Sequence, residues 1–208
     1  MATSEYPLAL TPAQAALKRG FDFSLALVGL LASWWLILSA FLLASLDTGG
    51  NGFFIQERVG QHGRRFRVVK IKTMRPNVTI TTTVTRSGDS RITALGRFFR
   101  RTKLDELPQL WNVLRGEMSF VGPRPDVPGF ADQLSGRNRT VLSLRPGITG
   151  PATLAYRDEE EILAAQPDPE CYNREVIYPD KVRLNLEYIR NWSLAGDIGY
   201  IVHTVFGD

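Results

Sequence analysis

The segment Lys103-Leu104-Asp105-Glu106-Leu107-Pro108-Gln109-Leu110 places two adjacent carboxylates beside a cluster of cations, Arg100, Arg101 and Lys103. Two readings fit that arrangement. As a helix start, Asp105 is an N-cap and Glu106 a dipole-favouring neighbour, with Pro108 tolerated in the first turn. As a reaction centre, Asp105 and Glu106 form a cradle for a magnesium-bound diphosphate. Mg²⁺ takes oxygen ligands, usually one or two carboxylates plus substrate phosphates. The nearby cations and a helix N-terminus would keep Asp105 ionised, as a nucleophile must be. Further on, Gly122-Pro123-Arg124-Pro125 fixes an arginine between two prolines. That run is either a rigid surface turn or a pre-oriented guanidinium fork for phosphate, and the second reading is better supported. Lys70 and Lys72 alternate with Val69 and Ile71, so both lysines share one strand face, open to phosphate or lipid headgroups.

These groups need elements to hold them. Phe23 to Leu46 is an uncharged apolar run of 24 residues, longer than the ~20 needed to cross the hydrocarbon core. It is also too long for a signal-peptide core. Lys18-Arg19 flank one end and Arg58, Arg64, Arg65 and Arg67 the other, so a spanning or a re-entrant segment both leave the following domain in the cytoplasm. The domains expected are an arm and membrane-embedded helix over 1–47 and a catalytic domain over 48–208. Phe53–Val59 and Phe66–Ile71 read as short strands joined across Gly60–Gly63. Residues 76–90 read as a loop or flap. Leu95–Arg101 reads as a basic helix, and Leu107, Leu110, Trp111 and Leu114 as one buried helical face. Further helices are expected near Gly129–Arg139, Asp158–Ala165 and Ile177–Ile189, with Trp192–Phe206 closing the chain. The fold class is therefore α/β or α+β: a short sheet, surrounding helices and amphipathic helices on a membrane surface.

Charge is unevenly distributed. Of a net +4, residues 58–103 carry 13 Lys/Arg against the single acid Asp89, while the flanking segments are net acidic. Such a block attracts phosphate, whether on nucleic acid, anionic lipid or a nucleotide. Nucleic acid is disfavoured as a partner because few aromatics interleave with the cations. One cysteine, Cys171, precludes an internal disulfide, and two distant histidines argue against a zinc site.

From Lys18 to Gly207 the chain resembles the bacterial sugar transferases of the monotopic phosphoglycosyl transferase type. The resemblance is carried by Gln56-Glu57-Arg58-Val59-Gly60, Lys70-Ile71-Lys72-Thr73-Met74-Arg75, the long segment Leu104 to Pro125, and Arg145-Pro146-Gly147-Ile148-Thr149-Gly150. It implies transfer of a sugar-1-phosphate from a UDP-sugar to polyprenyl (undecaprenyl) phosphate at the cytoplasmic face of the bacterial inner membrane. It implies that Asp105 is the nucleophile, that Glu106 works with it and with Mg²⁺, and that UMP leaves. Lys70, Lys72, Arg100, Arg124 and Arg157 match basic positions of the family. The family's membrane break, often Ser-Pro, falls at Ser33, which Trp34 follows here. Self-association into a homo-oligomer and the identity of the sugar are left open. A turnover-deficient membrane scaffold would lack part of the Asp105, Glu106 and Arg124 set, and all three are present.

Overall fold

A computed structural model describes residues 9–75 and 89–207. The apolar run forms the middle of one 37-residue helix, α1 (Pro12–Thr48). It opens in a capping box: Thr11 Oγ1 accepts from the Gln14 amide, and the Gln14 side chain accepts from the Thr11 amide. Pro12 takes a first-turn position, where a missing N–H costs nothing. Gly49, left-handed at φ 71°, ends the helix. The break expected at Ser33 is not an interruption of α1. With no proline following, no amide is lost, and Ser33 Oγ instead donates to the Gly29 carbonyl at 2.6 Å. Serine back-bonds of this kind bend a helix without ending it.

One stripe of α1 rests on the remainder of the chain, and the opposite side is bare. Lys18, Asp22, Ala26, Ala40, Ala44 and Thr48 are buried at near-helical spacing, while Leu31, Trp34, Trp35, Leu42 and Leu46 are exposed. Ala26 packs with Phe66, Val68, Val113 and Met118, and Ala40 and Ala44 with Ile71 and Phe99. Both halves of the helix therefore dock on the same body. At the N-terminal end Lys18 Nζ donates to Asp197 Oδ2 at 2.6 Å, and Asp197 also accepts from Tyr188 and Trp192 at 2.6 and 3.1 Å.

That body is a mixed α+β fold. β1 (Phe53–Val59) and β2 (Arg65–Ile71) form an antiparallel hairpin with Phe53 opposite Ile71 and Val59 opposite Arg65. A second, parallel pair joins β3 (Ser119–Val121) to β4 (Gly147–Thr149). This pair has no alternating pattern to announce it. Gly122 and Gly147 let its backbones close up: a Cβ on Gly122 would lie 2.5 Å from the Arg145 carbonyl oxygen. The crossing anchors the loop that carries Arg124.

The helices are α2 (Ala94–Arg101), α3 (Gln109–Arg115), α4 (Pro151–Ala155), α5 (Glu159–Ala164), α6 (Pro169–Tyr172), α7 (Tyr178–Arg190) and α8 (Leu194–Phe206). The helix expected near Gly129–Arg139 is instead two 3₁₀ segments, Ala131–Gln133 and Gly136–Ser143. Gly129 and Gly136 take φ of 104° and 54°, which a right-handed helix does not accommodate. The buried face of α3 also differs from expectation. It consists of Gln109, Leu110, Asn112 and Val113, and Trp111 is half exposed. Asn112 decides the rotation: its side chain accepts from the Val69 amide at 3.1 Å and donates to the Arg67 carbonyl at 2.8 Å, replacing ladder partners along β2. Ile198, Val202, Val205 and Phe206 leave an exposed apolar flank on α8, and Phe98 does so on α2.

Candidate active site

Lys103 takes a left-handed conformation, φ 58°, rare for a residue with a side chain. It turns the chain out of α2 into a 3₁₀ turn, Leu104–Glu106, and α3 begins only at Gln109 with Pro108 as its cap residue. Asp105 is thus not the helix cap that its position beside Pro108 allowed. It is 9% exposed, and its Oδ1 has no hydrogen-bond partner among the described residues. Burial, reinforced by Glu106, pushes its pKa up to about 6 against the pull of Lys70, Arg100 and Lys103. The expected dominance of the cations is therefore reversed, because desolvation of the carboxylate outweighs them.

Glu106 goes the other way. Burial works to raise it, yet Lys70 and Arg124 outweigh burial and bring it down to about 2. Lys70 Nζ donates to Glu106 Oε1 at 2.7 Å, and Arg124 Nη2 lies 3.6 Å from the same oxygen. Burial lowers Lys70 while Glu106 resists it. The two neighbouring carboxylates are thus shifted in opposite directions, Asp105 up and Glu106 down.

The other expected groups sort by distance from this pair. Lys70, Lys72, Arg100, Arg124, Arg157, Asp105 and Glu106 all line one cavity of about 1330 Å³. Arg100 is held by Thr73 Oγ1 and by Glu160, each at 3.2 Å. Arg157 donates to the His203 carbonyl of α8 at 3.1 Å, so it belongs to a different wall from the carboxylates. Ser33 is outside the cavity lining. The loop expected over 76–90 lies, except for its last two residues, outside the described residues. The lower wall combines Arg58 with groups not singled out from sequence: Asp126, Tyr178 and Lys181. Burial pushes Asp126 up to about 6 despite Lys181 and a hydrogen bond from Tyr178. Asp126 follows Arg124-Pro125 directly, and Tyr178 and Lys181 are three residues apart on a helix; those spacings were the available signals.

Among the described residues no three Asp, Glu, His or Cys side chains gather into a metal cage. An ion here would need substrate oxygens as well, which is how Mg²⁺ is commonly held. The unpartnered Asp105 Oδ1 beside Glu106 is an all-oxygen donor set of the right kind.

The family model described as "Bacterial sugar transferase" matches residues 13–207. The chain is 36% identical to a UDP-galactose-lipid carrier transferase of Erwinia amylovora, over 91% of this chain and 39% of that protein. It is 36% identical to a UDP-glucose:undecaprenyl-phosphate glucose-1-phosphate transferase of Xanthomonas campestris, over 88% of this chain and 37% of that protein. It is 31% identical to the exopolysaccharide production protein ExoY of Sinorhizobium fredii, over 95% of this chain and 87% of that protein. The chain thus spans about two fifths of the first two relatives and most of the third. With nearly its whole length matched, the chain belongs to the bacterial sugar transferase family and is a transferase.

Proposed function

We propose that this chain transfers a sugar-1-phosphate from a UDP-sugar to undecaprenyl phosphate, in two displacements through an aspartyl-phosphosugar on Asp105. One Asp105 carboxylate oxygen attacks the β-phosphorus, the bond from that phosphorus to the bridging oxygen breaks, and UMP leaves with the electron pair. An oxygen of the lipid phosphate then attacks the same phosphorus, and the Asp105 carboxylate departs unchanged. A covalent intermediate divides a difficult reaction between two anions into two simpler steps. The observation carrying this reading is the buried, unpartnered Asp105 oxygen in a cavity walled by Lys70, Arg100 and Arg124.

Lys70 and Arg124 are placed to offset charge on the transferring phosphoryl group, and Glu106 orients both. Asp105 and Glu106 are the groups that would hold Mg²⁺. When bound, the ion supplies positive charge to the diphosphate and to the departing UMP. A pKa of about 6 leaves most Asp105 ionised at neutral pH yet avoids an over-stabilised, unreactive carboxylate.

The relatives named for undecaprenyl phosphate support a lipid acceptor. Membrane attachment by α1 with both ends on one face is supported by its packing, and the cytoplasmic face by the cations Lys18-Arg19 and Arg58, Arg64, Arg65 and Arg67 that flank the apolar run. Both halves of α1 dock on one body, which favours having both its ends on one face. Its bare Leu and Trp side, with the apolar flank of α8, faces lipid.

The test is UMP release by nanodisc-held protein supplied with undecaprenyl phosphate, Mg²⁺ and a panel of UDP-sugars. Turnover with one donor, abolished in Asp105→Asn or on chelation, is the expected result. Folded wild-type protein that is silent across the panel refutes the assignment.

A further inference from the structure

The cavity is larger than the phosphate chemistry needs, and its lower wall has a different character from the carboxylate end. One face of α7 supplies Tyr178, Lys181 and Asn185, at spacings of three and four residues, and α4 supplies Thr153 opposite. Two of these groups, and Arg58 of β1 in the same cavity lining, carry buried polar atoms with no partner among the described residues: Asn185 Oδ1, Thr153 Oγ1 and Arg58 Nε. Asn185 is 6% exposed. A buried polar atom left unpaired is costly, so three lining one cavity mark a place whose hydrogen bonds are completed by something that enters.

The charges there are balanced. Lys181 Nζ is bound to Glu159 at 2.6 Å, and Asp126 accepts from Tyr178 between Lys181 and Arg58. A neutralised wall with both donors and acceptors does not select an anion. It suits a neutral ligand carrying several hydroxyls. The connection to the reacting phosphorus runs through the chain itself, since Asp126 is two residues from Arg124 and Arg58 donates to the intervening Pro125 carbonyl at 3.1 Å.

Resting on the transferase reading above, we propose that Asn185, Thr153 and Asp126 form the subsite that receives the hydroxyls of the donor's sugar ring and sets which sugar is transferred. The uridine half of the donor lies elsewhere in the cavity. Selectivity follows because a site built to pair with a hydroxyl leaves its own groups unpaired when the epimer lacks one there.

The experiment uses the nanodisc-held full chain with UDP-glucose, UDP-galactose and UDP-N-acetylgalactosamine as donors, and UDP as a competing ligand without sugar. Thr153→Val and Asn185→Leu each remove the polar atom at nearly constant volume. The expected result is a fall of about tenfold in kcat/KM for the preferred donor, a narrowed preference among donors, and UDP inhibition within about twofold of wild type. Thr153→Ser, which keeps the hydroxyl, falls less than Thr153→Val. Because the Thr153 hydroxyl is unpaired in the free protein, Thr153→Val keeps or raises Tm, separating this effect from misfolding. Unchanged donor preference in both variants overturns the proposal. So does UDP inhibition weakened in parallel, which would assign the wall to the nucleoside. Wild-type silence with every donor, by contrast, overturns the transferase reading itself.

Discussion

Replacing the candidate nucleophile should make the protein more stable. At neutral pH the Asp105 carboxylate is charged in a site that moves its pKa from 3.8 to about 6. One pKa unit corresponds to ~1.4 kcal/mol, so ionised Asp105 costs the folded state about 3 kcal/mol. The direction follows from proton binding. Between these two values the folded chain holds a proton that the unfolded chain has released, so this contribution to stability is complete below about pH 4 and lost as pH rises through 6. Asparagine keeps the shape and never ionises. Asp105→Asn is therefore expected to gain about 3 kcal/mol at about pH 7.5, or roughly 6–12 °C in Tm for a chain of this size. Near pH 4 the two proteins should melt together. The assay is thermal unfolding in nanodiscs without Mg²⁺, followed by tryptophan fluorescence, with UMP release measured in parallel. A lower Tm for Asp105→Asn at neutral pH, or an offset that does not change with pH, would falsify the account of a strained, unpaired carboxylate. Retained transfer would remove Asp105 as the nucleophile.

Glu106→Gln leaves the partly buried Lys70 without its hydrogen-bonded counter-charge and should cost about 3 kcal/mol in chemical denaturation, with transfer lost; an unchanged midpoint would refute the ion-pair role. Arg124→Lys keeps the charge but not the planar fork, and steady-state UMP release should fall at least about tenfold; full activity would mean that charge alone suffices. Lys18→Met strands the fully buried Asp197 and should destabilise by about 3–5 kcal/mol, read from the unfolding midpoint. In a Cys171→Ser background, cysteines at Ala16 and Gly50 should both react with a membrane-impermeant maleimide only after the cytoplasmic face is opened. Labelling of residue 16 from outside intact cells would establish a spanning helix.

Much of the site is local in the chain, which is why it could be read from sequence. Asp105 and Glu106 are adjacent, Arg124 is locked by its own prolines, and Lys70 and Lys72, the second just past the end of β2, both line the cavity. The hairpin and helices α2, α5, α7 and α8 likewise follow from short-range pattern. Three features were not legible because they depend on distant partners. The rotation of α3 is set by Asn112 pairing with the β2 backbone 43 residues earlier. The raised pKa of Asp105 comes from burial, which periodicity does not report. The β3–β4 pair is three residues long on each side and rests on a glycine crossing that no alternation announces. The lower wall was missed for a similar reason: Asp126, Thr153 and Asn185 come from three separate elements and meet only in the folded chain.

The buried pair at the foot of α1 also orders events during synthesis. Lys18 and Asp197 are 179 residues apart. At 5–20 residues per second, the ribosome delivers the aspartate roughly 9–36 s after the lysine. For that interval the carboxylate that pairs with Lys18 in the folded chain does not yet exist, and Asp22, one turn along the same helix, is the counter-charge at hand. Arrival of α8 is then the step that completes the pairing of Lys18, late in translation and after the residues that dock both halves of α1 have been made.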